Sequence, residues 1–388
     1  MENNKITNVE IIFVKYPVKK RIKFPFAYHV ISGFIFFKVK INNGLVGYGE
    51  PSPYLGNFYL ISNLFKKYLL PLIEGQNVNS IDLDKIKKKI NSKIEKKAIN
   101  CILAGLEQAF WDIKGKILKK PLSVILTTKI KSENPIDLYA SGGMIYDDQS
   151  YSLLLNEALE YKELGFKGYK FRPSISRKQL SHFKRTKNPP KFDVKKLMKG
   201  CAYLRLKLGD SFKLMIDTGC RINNDLDFRY ISNCLDELNF LFLEEPFRRN
   251  IELYKRIKRF KKVQIAAGES LQDQKDFNIW AKKIDILQPD SNMIRISEIL
   301  KLKTHLKKNT KKVIFHNWAN PISMFSNFHL SKIFDSNFIE YNITYNPIIK
   351  NLLKEKIKIK KGQFVFDKKP GLGIEMNEDF LKKYSIKL

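Results

Sequence analysis

Between Lys170 and Glu340 the chain repeats one pattern, a short apolar run of strand length that ends at an acidic or basic residue. Successive run ends lie 21 to 27 residues apart, except for a first step of 47, and amphipathic segments of helix length separate them. The run ends are Lys170, Asp217, Glu244, Glu269, Asp290, His316 and Glu340. Such runs are typical of parallel strands buried on both faces. The repeat predicts a (β/α) barrel whose first strand spans 138–144 and whose second strand carries Lys170 and Arg172 on the same side.

Three of these run ends are carboxylates on consecutive predicted strands, namely Asp217, Glu244 and Glu269. Barrel strands all point one way, so their ends converge on one rim. Carboxylates brought together without a cation repel one another and resist ionising. Mg²⁺ accepts oxygen ligands and keeps positions open for a substrate carboxylate, so the pattern predicts a magnesium site. A single acidic residue at a strand end is also a common helix cap or loop salt bridge, and the adjacent Glu245 leaves the second ligand ambiguous.

The rest of the chain predicts a second module, because 388 residues exceed what a barrel alone needs. Residues 4–50 alternate like antiparallel strands with a hairpin turn at Asn43-Gly44, and residues 60–115 have helical periodicity. Alternating strands around Lys361-Gly362 indicate a tail that returns to this module. The predicted units are an α+β capping domain at 1–130, a barrel at 131–345 and a returning segment at 346–388. A basic insertion near 177–195 is expected to form a surface loop.

Composition indicates which kinds of binding partner are expected. The formal net charge is +32 and the pI is about 9.8, but lysine is spread over nearly every predicted helix. This spread is typical of solvated faces and disfavours a nucleic-acid site, although the diffuse positive field would attract an anionic substrate. No apolar run approaches the roughly 20 residues of a membrane helix, and no secretory signal is visible. Four cysteines without CxxC spacing favour a reducing cytoplasm.

Nine short motifs resemble those of the enolase superfamily across nearly the whole chain. They are GYGE at 47–50, AFWDIKGK at 109–116, KxR at 170–172, MID at 215–217, LEEP at 243–246, AGES at 267–270, QPD at 288–290, HNWAN at 316–320 and PGLG at 370–373. The pair of Asp290 and His316 is similar to that of the mandelate racemase subgroup. A subgroup with a lysine pair at the sixth strand is disfavoured, because Asp290 occupies that place.

The resemblance implies an α/β fold, a modified (β/α)7β TIM barrel with an α+β N-terminal capping domain that the C-terminal segment completes. It implies Mg²⁺ bound by Asp217, Glu244 and Glu269, which selects the first Glu of LEEP. Capping-domain loops would select the substrate, and the candidate substrate contacts are Tyr28, His29, Tyr54 and the rim residue Asn317. The family commonly forms dimers or octamers.

The chemistry expected at this rim is removal of the proton alpha to a carboxylate, which needs a base and a stabilised enediolate. Lys170 and Mg²⁺ would bind the substrate carboxylate more strongly as negative charge develops on it. His316 is the expected base, because Asp290 can accept its other N–H and raise its basicity. Glu340 is expected to hydrogen-bond the substrate carboxylate.

Arg172 separates two reaction types. Racemisation by two opposed bases would need a lysine at this position as the second base, whereas an arginine with a pKa above roughly 12 is a poor proton acceptor. One base suffices for elimination of a beta hydroxyl, with Arg172 binding the carboxylate or a hydroxyl. The sequence therefore predicts a Mg²⁺-dependent sugar acid dehydratase. The alternatives are a racemase or epimerase that uses the same enediolate, a basic binding protein without activity, and a magnesium site retained without turnover.

Overall fold

The computed structural model describes residues 4–16, 22–24, 27–29, 33–52, 57–90, 95–127, 135–143, 150–173, 193–257, 262–308, 312–336, 338–344 and 346–386. Of 22–24 and 27–29 it describes the backbone alone. The expected surface loop near 177–195 lies outside the described residues up to position 192.

An antiparallel sheet forms the first unit. Its strands and a separate hairpin are β1 (Ile6–Lys15), β2 (Ile22–Phe24), β3 (Ala27–His29), β4 (Gly33–Ile41) and β5 (Val46–Gly49). β1 pairs with β4 and β4 pairs with β5, while β2 and β3 pair with each other. The predicted turn at Asn43-Gly44 joins β4 to β5, and Gly44 adopts φ +88°, a left-handed conformation that suits glycine. The hairpin prediction is confirmed.

Helices cover this sheet, as the helical periodicity of residues 60–115 predicts. They are α1 (Phe58–Leu64), a π-helical turn (Phe65–Leu69), α2 (Leu70–Ile73), α3 (Leu83–Lys89), α4 (Lys96–Ile117) and α5 (Leu122–Leu126). The long helix α4 crosses β5 so closely that a Cβ on Gly49 would lie 1.7 Å from the carbonyl oxygen of Gly105. This glycine contact brings Glu50 and Gln108 together at the boundary with the second unit.

The second unit is the predicted barrel. Its strands are β6 (Ile136–Ser141), β7 (Gly168–Phe171), β8 (Lys213–Asp217), β9 (Phe240–Glu244), β10 (Ile265–Ala267), β11 (Ile286–Leu287), β12 (Lys312–Val313) and β13 (Phe338–Asn342). Neighbours pair in parallel from β6 to β12, and β13 pairs in parallel with β6. Side chains link β12 to β13: Ser336 Oγ donates to the Val313 carbonyl at 2.7 Å, and Asn317 Nδ2 donates to the Glu340 carbonyl at 3.0 Å.

Helices connect successive barrel strands. They are α6 (Tyr151–Glu163), α7 (Val194–Leu208), α8 (Asp225–Glu237), α9 (Ile251–Ile257), α10 (Gln274–Ala281), α11 (Ile296–Lys308) and α12 (Pro321–Ile333). The side chains of Asp193, Asn224 and Asp273 each accept a backbone N–H in the first turn, which fixes where α7, α8 and α10 begin. None of the helices that the structure describes is long and apolar enough to cross a bilayer.

Two apolar layers hold the barrel together. Inside it, one buried side chain from most strands forms a small cluster, made of Tyr139, Met215, Phe242, Ala266, Ile286 and Ile314. Outside it, alternate residues such as Leu214 and Ile216 pack against the helices in a much larger cluster. Burial on both faces explains why the strands read as nearly continuous apolar runs.

The tail contacts both units. It comprises α13 (Pro347–Asn351), β14 (Ile359–Lys360), β15 (Gln363–Phe364), α14 (Glu378–Tyr384) and β16 (Ser385–Ile386). β15 pairs antiparallel with β6 of the barrel, and β16 pairs antiparallel with β1 of the first sheet. Asp112 on α4 also links the tail to the first unit, because its carboxylate accepts the backbone N–H groups of Tyr48 on β5 and Leu372 in the tail. The exact domain limits at 130 and 345 stay predictions.

Candidate active site

The predicted catalytic and metal-binding residues lie at or just beyond the C-terminal ends of the barrel strands, which we call the rim. Asp217 and Glu244 end β8 and β9, and Glu340 lies within β13. Three others lie two or three residues beyond the ends of β10, β11 and β12, namely Glu269, Asp290 and His316. The ends of parallel strands meet on one side of a barrel, so residues far apart in sequence become neighbours.

Lys170 is fully buried and reaches across the mouth of the barrel. Its Nζ lies 2.6 and 2.8 Å from the two carboxylate oxygens of Glu244, and 2.8 Å from Glu340 Oε1. Burial lowers the pKa of Lys170, but the charges of Glu244 and Glu340 outweigh burial and raise that pKa above its ordinary value. Lys170 therefore remains an ammonium ion, suited to binding an anion rather than to accepting a proton.

Arg172 lies two residues further along and pairs with the next strand. Its Nε donates to Asp217 Oδ2 at 2.8 Å, and its Nη1 lies 3.3 Å from Ser141 Oγ. The guanidinium carbon lies 5.5 Å from the ring centroid of Trp318, within cation–π range. These contacts hold a planar cation at the rim beside Lys170.

His316 and Asp290 form the predicted pair. His316 Nδ1 lies 2.7 Å from Asp290 Oδ2, which assigns the Nδ1 proton to this hydrogen bond and leaves Nε2 for chemistry. Nε2 lies 3.4 Å from Glu269 Oε2 and 3.9 Å from Glu340 Oε2, so it faces the carboxylates of the rim. Asn327 on α12 fixes the pair from behind, because its Nδ2 donates to Asp290 Oδ1 and to the His316 carbonyl, each at 3.0 Å.

Charge dominates the protonation states at the rim. Burial lowers the pKa of His316, but Glu269, Glu340 and the hydrogen bond to Asp290 together raise it to about 9. Burial raises the pKa of Glu340, but the charges of Lys170, His316 and Arg172 outweigh burial and hold that pKa below the usual range. Glu340 is therefore a carboxylate that stabilises cations on two sides.

The structure separates the adjacent Glu244 and Glu245. Glu244 lies beside Asp217 in the pairing of β8 with β9, and accepts a hydrogen bond from Gln288 Nε2 at 2.6 Å. Glu245 adopts φ +40°, a strained left-handed conformation, and its Oε1 accepts the Gly268 N–H at 3.1 Å. Glu244 therefore belongs to the inside of the rim, whereas Glu245 supports the loops around it.

The third predicted metal ligand, Glu269, binds Arg249 in this structure, with Nη2 and Oε1 2.8 Å apart. Asp217, Glu244 and Glu269 thus each contact a different cationic side chain. In the part of the chain that the structure describes, no three ligating side chains converge closely enough to hold a metal ion. Their assignment as ligands stays a prediction.

The donor chemistry nevertheless fits Mg²⁺. All three groups are carboxylates, and hard oxygen donors are what this ion prefers. Burial raises the pKa of Glu244, and the charges of Asp217, Glu340 and Glu269 add to that rise even though Lys170 opposes it. A buried carboxylate with three like-charged neighbours is a place where a divalent cation would be stabilising.

Two buried residues near the site were not predicted to act there. In the sequence Glu50 is only the last residue of the GYGE motif. In the structure its Oε1 accepts from both the backbone N–H and Nδ2 of Asn320 at 3.1 Å, and its Oε2 accepts the Ser323 N–H at 3.2 Å. Glu50 therefore caps the start of α12 from the first unit. Asn327 was missed as well, although polar residues on the otherwise apolar segment PISMFSNFHLSKI are a usable signal.

The predicted substrate contacts are only partly described. The backbones of Tyr28 and His29 lie in β3, paired with Lys23 and Ile22, while Tyr54 lies outside the described residues. Asn317 is fully buried at the rim, where its N–H donates to Glu340 Oε2 at 2.9 Å and its Nδ2 donates to the Glu340 carbonyl. These bonds favour a positioning role for Asn317, and its predicted contact with substrate is untested.

The fold and the site together define a capped (β/α) barrel whose rim combines carboxylates, a lysine and a histidine–aspartate pair. Two family models match most of the chain. Residues 8–126 match the mandelate racemase / muconate lactonizing enzyme N-terminal domain, and residues 154–380 match the enolase C-terminal domain-like family. The chain belongs to the mandelate racemase / muconate lactonizing enzyme family of the enolase superfamily, which confirms the resemblance and the predicted fold class.

Curated relatives extend over nearly the whole chain. It is 27% identical over 360 residues to an arabinonate dehydratase of Saccharolobus solfataricus, covering 90% of each protein. It is 26% identical over 363 residues to a D-gluconate/D-galactonate dehydratase of Picrophilus torridus, covering 91% of this chain and 88% of that one.

Solved structures share the fold at lower identity. A 3,6-anhydro-D-galactonate cycloisomerase from Zobellia galactanivorans superposes with a TM-score of 0.81 at 23% identity, covering 99% of this chain and 100% of that one. A mandelate racemase/muconate lactonizing protein from Paracoccus denitrificans, solved in complex with magnesium, gives 0.83 at 18% identity, covering 99% of both chains.

Proposed function

We propose that this protein is a Mg²⁺-dependent sugar acid dehydratase, a hydro-lyase that converts a sugar acid into a 2-keto-3-deoxy acid. The observation that carries the proposal is that His316 Nε2 faces the rim while Nδ1 is held by Asp290, 2.7 Å away. Two cationic side chains, Lys170 and Arg172, lie at the same rim. This arrangement offers one candidate base beside two permanent cations. The sugar acid dehydratases among the curated relatives support the same reaction class.

In this mechanism Lys170 binds the substrate carboxylate. His316 Nε2 takes the proton alpha to that carboxylate, and the electron pair of the broken C–H bond moves into the carboxylate to give an enediolate. The ammonium group of Lys170, already oriented by Glu244 and Glu340, stabilises the charge as it forms. A general base so placed contributes roughly 10²–10⁴ in rate.

The second half of the reaction returns the proton. The enediolate electrons form the new C=C bond and expel the beta hydroxyl, which takes the proton from His316 and leaves as water. The resulting enol becomes the 2-keto acid by moving its hydroxyl proton to carbon. Substrate minus water equals product, and His316 ends neutral, so one residue serves both steps if the proton and the hydroxyl leave from the same face.

Asp217, Glu244 and Glu269 would hold the magnesium ion. When bound there, Mg²⁺ would offset the carboxylate charge around His316 and stabilise negative charge on the substrate carboxylate. Base action requires the neutral imidazole, whereas the rim carboxylates hold the pKa of His316 at about 9. The proposed chemistry therefore depends on compensation of that charge.

A racemase or epimerase is the competing function. It needs a second proton carrier on the other face of the enediolate, and Arg172 keeps its proton near neutral pH. Lys170 is a poor second base as well, because its pKa is raised by Glu244 and Glu340 despite its burial. Both features favour elimination over inversion.

The test is turnover of a panel of sugar acids in heavy water with Mg²⁺. We expect a colour reaction for 2-keto acid from at least one of arabinonate, gluconate and galactonate, and its loss after chelation of the metal. Recovery of inverted, deuterium-labelled substrate without keto acid would establish the racemase instead. No exchange and no product across the panel would support a retained site without turnover.

A further inference from the structure

A cavity lies at the N-terminal end of the barrel, on the side opposite the rim. It has a volume of about 520 Å³, and we call it the basal pocket. Its wall includes residues at or next to the starts of five barrel strands, namely Lys213, Gln264, Ile286, Lys312 and Phe338. The volume lies within the roughly 300–1,000 Å³ of small-molecule sites.

The basal pocket and the rim lie at opposite ends of the same rows of inward-facing side chains. Because strand side chains alternate, residues two apart on one strand face the same way. On β8 this row is Lys213, Met215 and Asp217. The row through β12 is Lys312, Ile314 and His316. The middle members of both rows belong to the apolar cluster inside the barrel, which therefore separates the basal pocket from the rim.

The lower members of these rows are cations in a position that barrels normally fill with packed apolar side chains. Lys213 Nζ lies 4.4 Å from the centroid of the Phe338 ring, and Lys312 Nζ lies 3.4 Å from Gln264 Oε1. Neither ammonium group pairs with a carboxylate among the residues that the structure describes. Their contacts are with a ring face and a neutral amide, which place both ammonium groups at the pocket without cancelling their charge.

The remaining lining sets the chemistry of a ligand. A third lysine, Lys303, and one carboxylate, Asp335, also line the pocket, which leaves a formal excess of two positive charges. Leucine, valine and phenylalanine side chains supply an apolar wall, formed by Leu241, Leu306, Val313 and Phe334. Charge and wall together suit a ligand with two negative charges and an apolar body.

We propose that the basal pocket is a binding site for a small organic dianion, such as a phosphate monoester or a dicarboxylate that carries an aromatic or aliphatic group. Lysine binds such groups as a point charge, and the apolar wall would contact the aromatic or aliphatic group. The site is independent of the reaction at the rim, since the apolar layer lies between them.

Isothermal titration of the full chain at fixed ionic strength tests this inference. The probes are phenyl phosphate and phthalate as organic dianions from two chemical sources, inorganic phosphate as the charge alone, and benzyl alcohol as the apolar body alone. We expect at least one organic dianion to bind in about a one-to-one ratio, and more tightly than inorganic phosphate or benzyl alcohol. The stronger of the two identifies the preferred head group.

Matched variants separate the basal pocket from the overall positive charge. The double replacement Lys213→Gln with Lys312→Gln should weaken the better dianion about tenfold or more, since it removes both unneutralised charges. The control, Lys195→Gln with Lys199→Gln, removes two exposed lysines from α7 and should leave the affinity at the wild-type value.

Two outcomes would overturn the proposal. Equal affinity in wild type and both double variants would assign binding to the rim or to the basic surface as a whole. An absence of measurable binding by both organic dianions at millimolar concentration would show that the lysines simply extend their charges into solvent. All four replaced lysines are exposed or line an open cavity, and circular dichroism would verify that the variants fold.

Discussion

Two buried histidines lie in regions that shift the imidazole pKa in opposite directions. His316, at the rim, faces Glu269 and Glu340 and has its pKa raised to about 9 despite burial. His329, on α12 beside α5 and the tail, has its pKa lowered to about 4, chiefly by burial. Both side chains are almost completely inaccessible, so burial alone does not decide their charge.

The difference comes from the neighbours. His329 Nδ1 accepts the Ser123 N–H at 3.3 Å, and its Nε2 donates to the Leu372 carbonyl at 3.2 Å, so only the neutral imidazole satisfies both partners. The partners of His316 are carboxylates, which stabilise the imidazolium. His329 is thus a neutral, fully paired group at the tail interface, whereas the rim concentrates buried charges that are costly for stability but useful for chemistry.

The largest expected effect is on turnover. Replacing His316 with Asn should lower kcat/KM for the best sugar acid by about 10³-fold, because a positioned general base contributes roughly 10²–10⁴. Alpha-proton exchange into heavy water should fall in parallel, and both are measured on the same samples.

His329→Gln is the matched control, since it replaces an equally buried histidine outside the rim. We expect it to keep kcat/KM near the wild-type value while lowering the unfolding midpoint. Full activity in the His316 variant, or equal losses of activity in the two variants, would contradict the assignment of His316 as the base.

The second prediction concerns stability against pH at the tail interface. The pKa of His329 is about 4 in the fold and 6.5 in the unfolded chain, so between these values the unfolded state binds more protons. Stability should therefore rise with pH from about 4 to 6.5 and level off above it, by about 3 kcal/mol in total from this residue.

Urea unfolding of wild type and His329→Gln across this pH range measures the effect. The rim carboxylates and the nearby Lys332 are common to both proteins, so the difference between the two curves isolates His329. Parallel curves would show that His329 has an ordinary pKa in the fold.

A third prediction applies the comparison to two adjacent residues. Glu244→Gln should weaken Mg²⁺ binding about tenfold or more, because Glu244 faces the rim beside Asp217. Glu245→Gln should change it little, because Glu245 bonds the Gly268 N–H instead. Both carboxyls are buried and have pKa values raised to about 7, chiefly by burial, so the two replacements are made in comparable surroundings. Calorimetric titration with Mg²⁺ compares them, and a reversed order would move the ligand role to Glu245.

The barrel could be predicted from the sequence because its signals are local. Apolar runs, helix-length spacers and their order determine parallel strands, and a common strand direction then places Asp217, Glu244 and His316 at one rim. The hairpin at Asn43-Gly44 follows from two residues. Each inference needs only a few neighbouring positions, so tertiary packing did not overturn it.

The pairing of side chains could not be predicted in the same way. Lys170 bonds Glu340 across two strand spacings, and Glu269 bonds Arg249 from a different loop. Glu50 reaches Asn320 over 270 residues. These contacts depend on rotamers and on how closely the two units approach, for which a single sequence holds no periodic signal. Strand alternation puts Lys213 and Asp217 on one face, but only the structure shows a cavity beside Lys213.

The smallest expected effect lies at Glu50, which combines features of both regions. It is a fully buried carboxylate with a pKa raised by burial to about 7, although its partners are neutral donors on Asn320 and Ser323. In Glu50→Gln the new NH₂ group must face one of these donors, because donors occupy both carboxylate oxygens. Relief of the buried charge offsets part of that loss, so we expect a decrease in the free energy of unfolding of only about 1 kcal/mol at pH 8.

Urea unfolding measures this decrease at Glu50, with Glu375→Gln on the exposed tail as the control whose midpoint should match wild type. A variant more stable than wild type would show that the cost of the buried charge outweighs its hydrogen bonds, and Glu50 would then resemble the charged groups of the rim rather than the neutral His329.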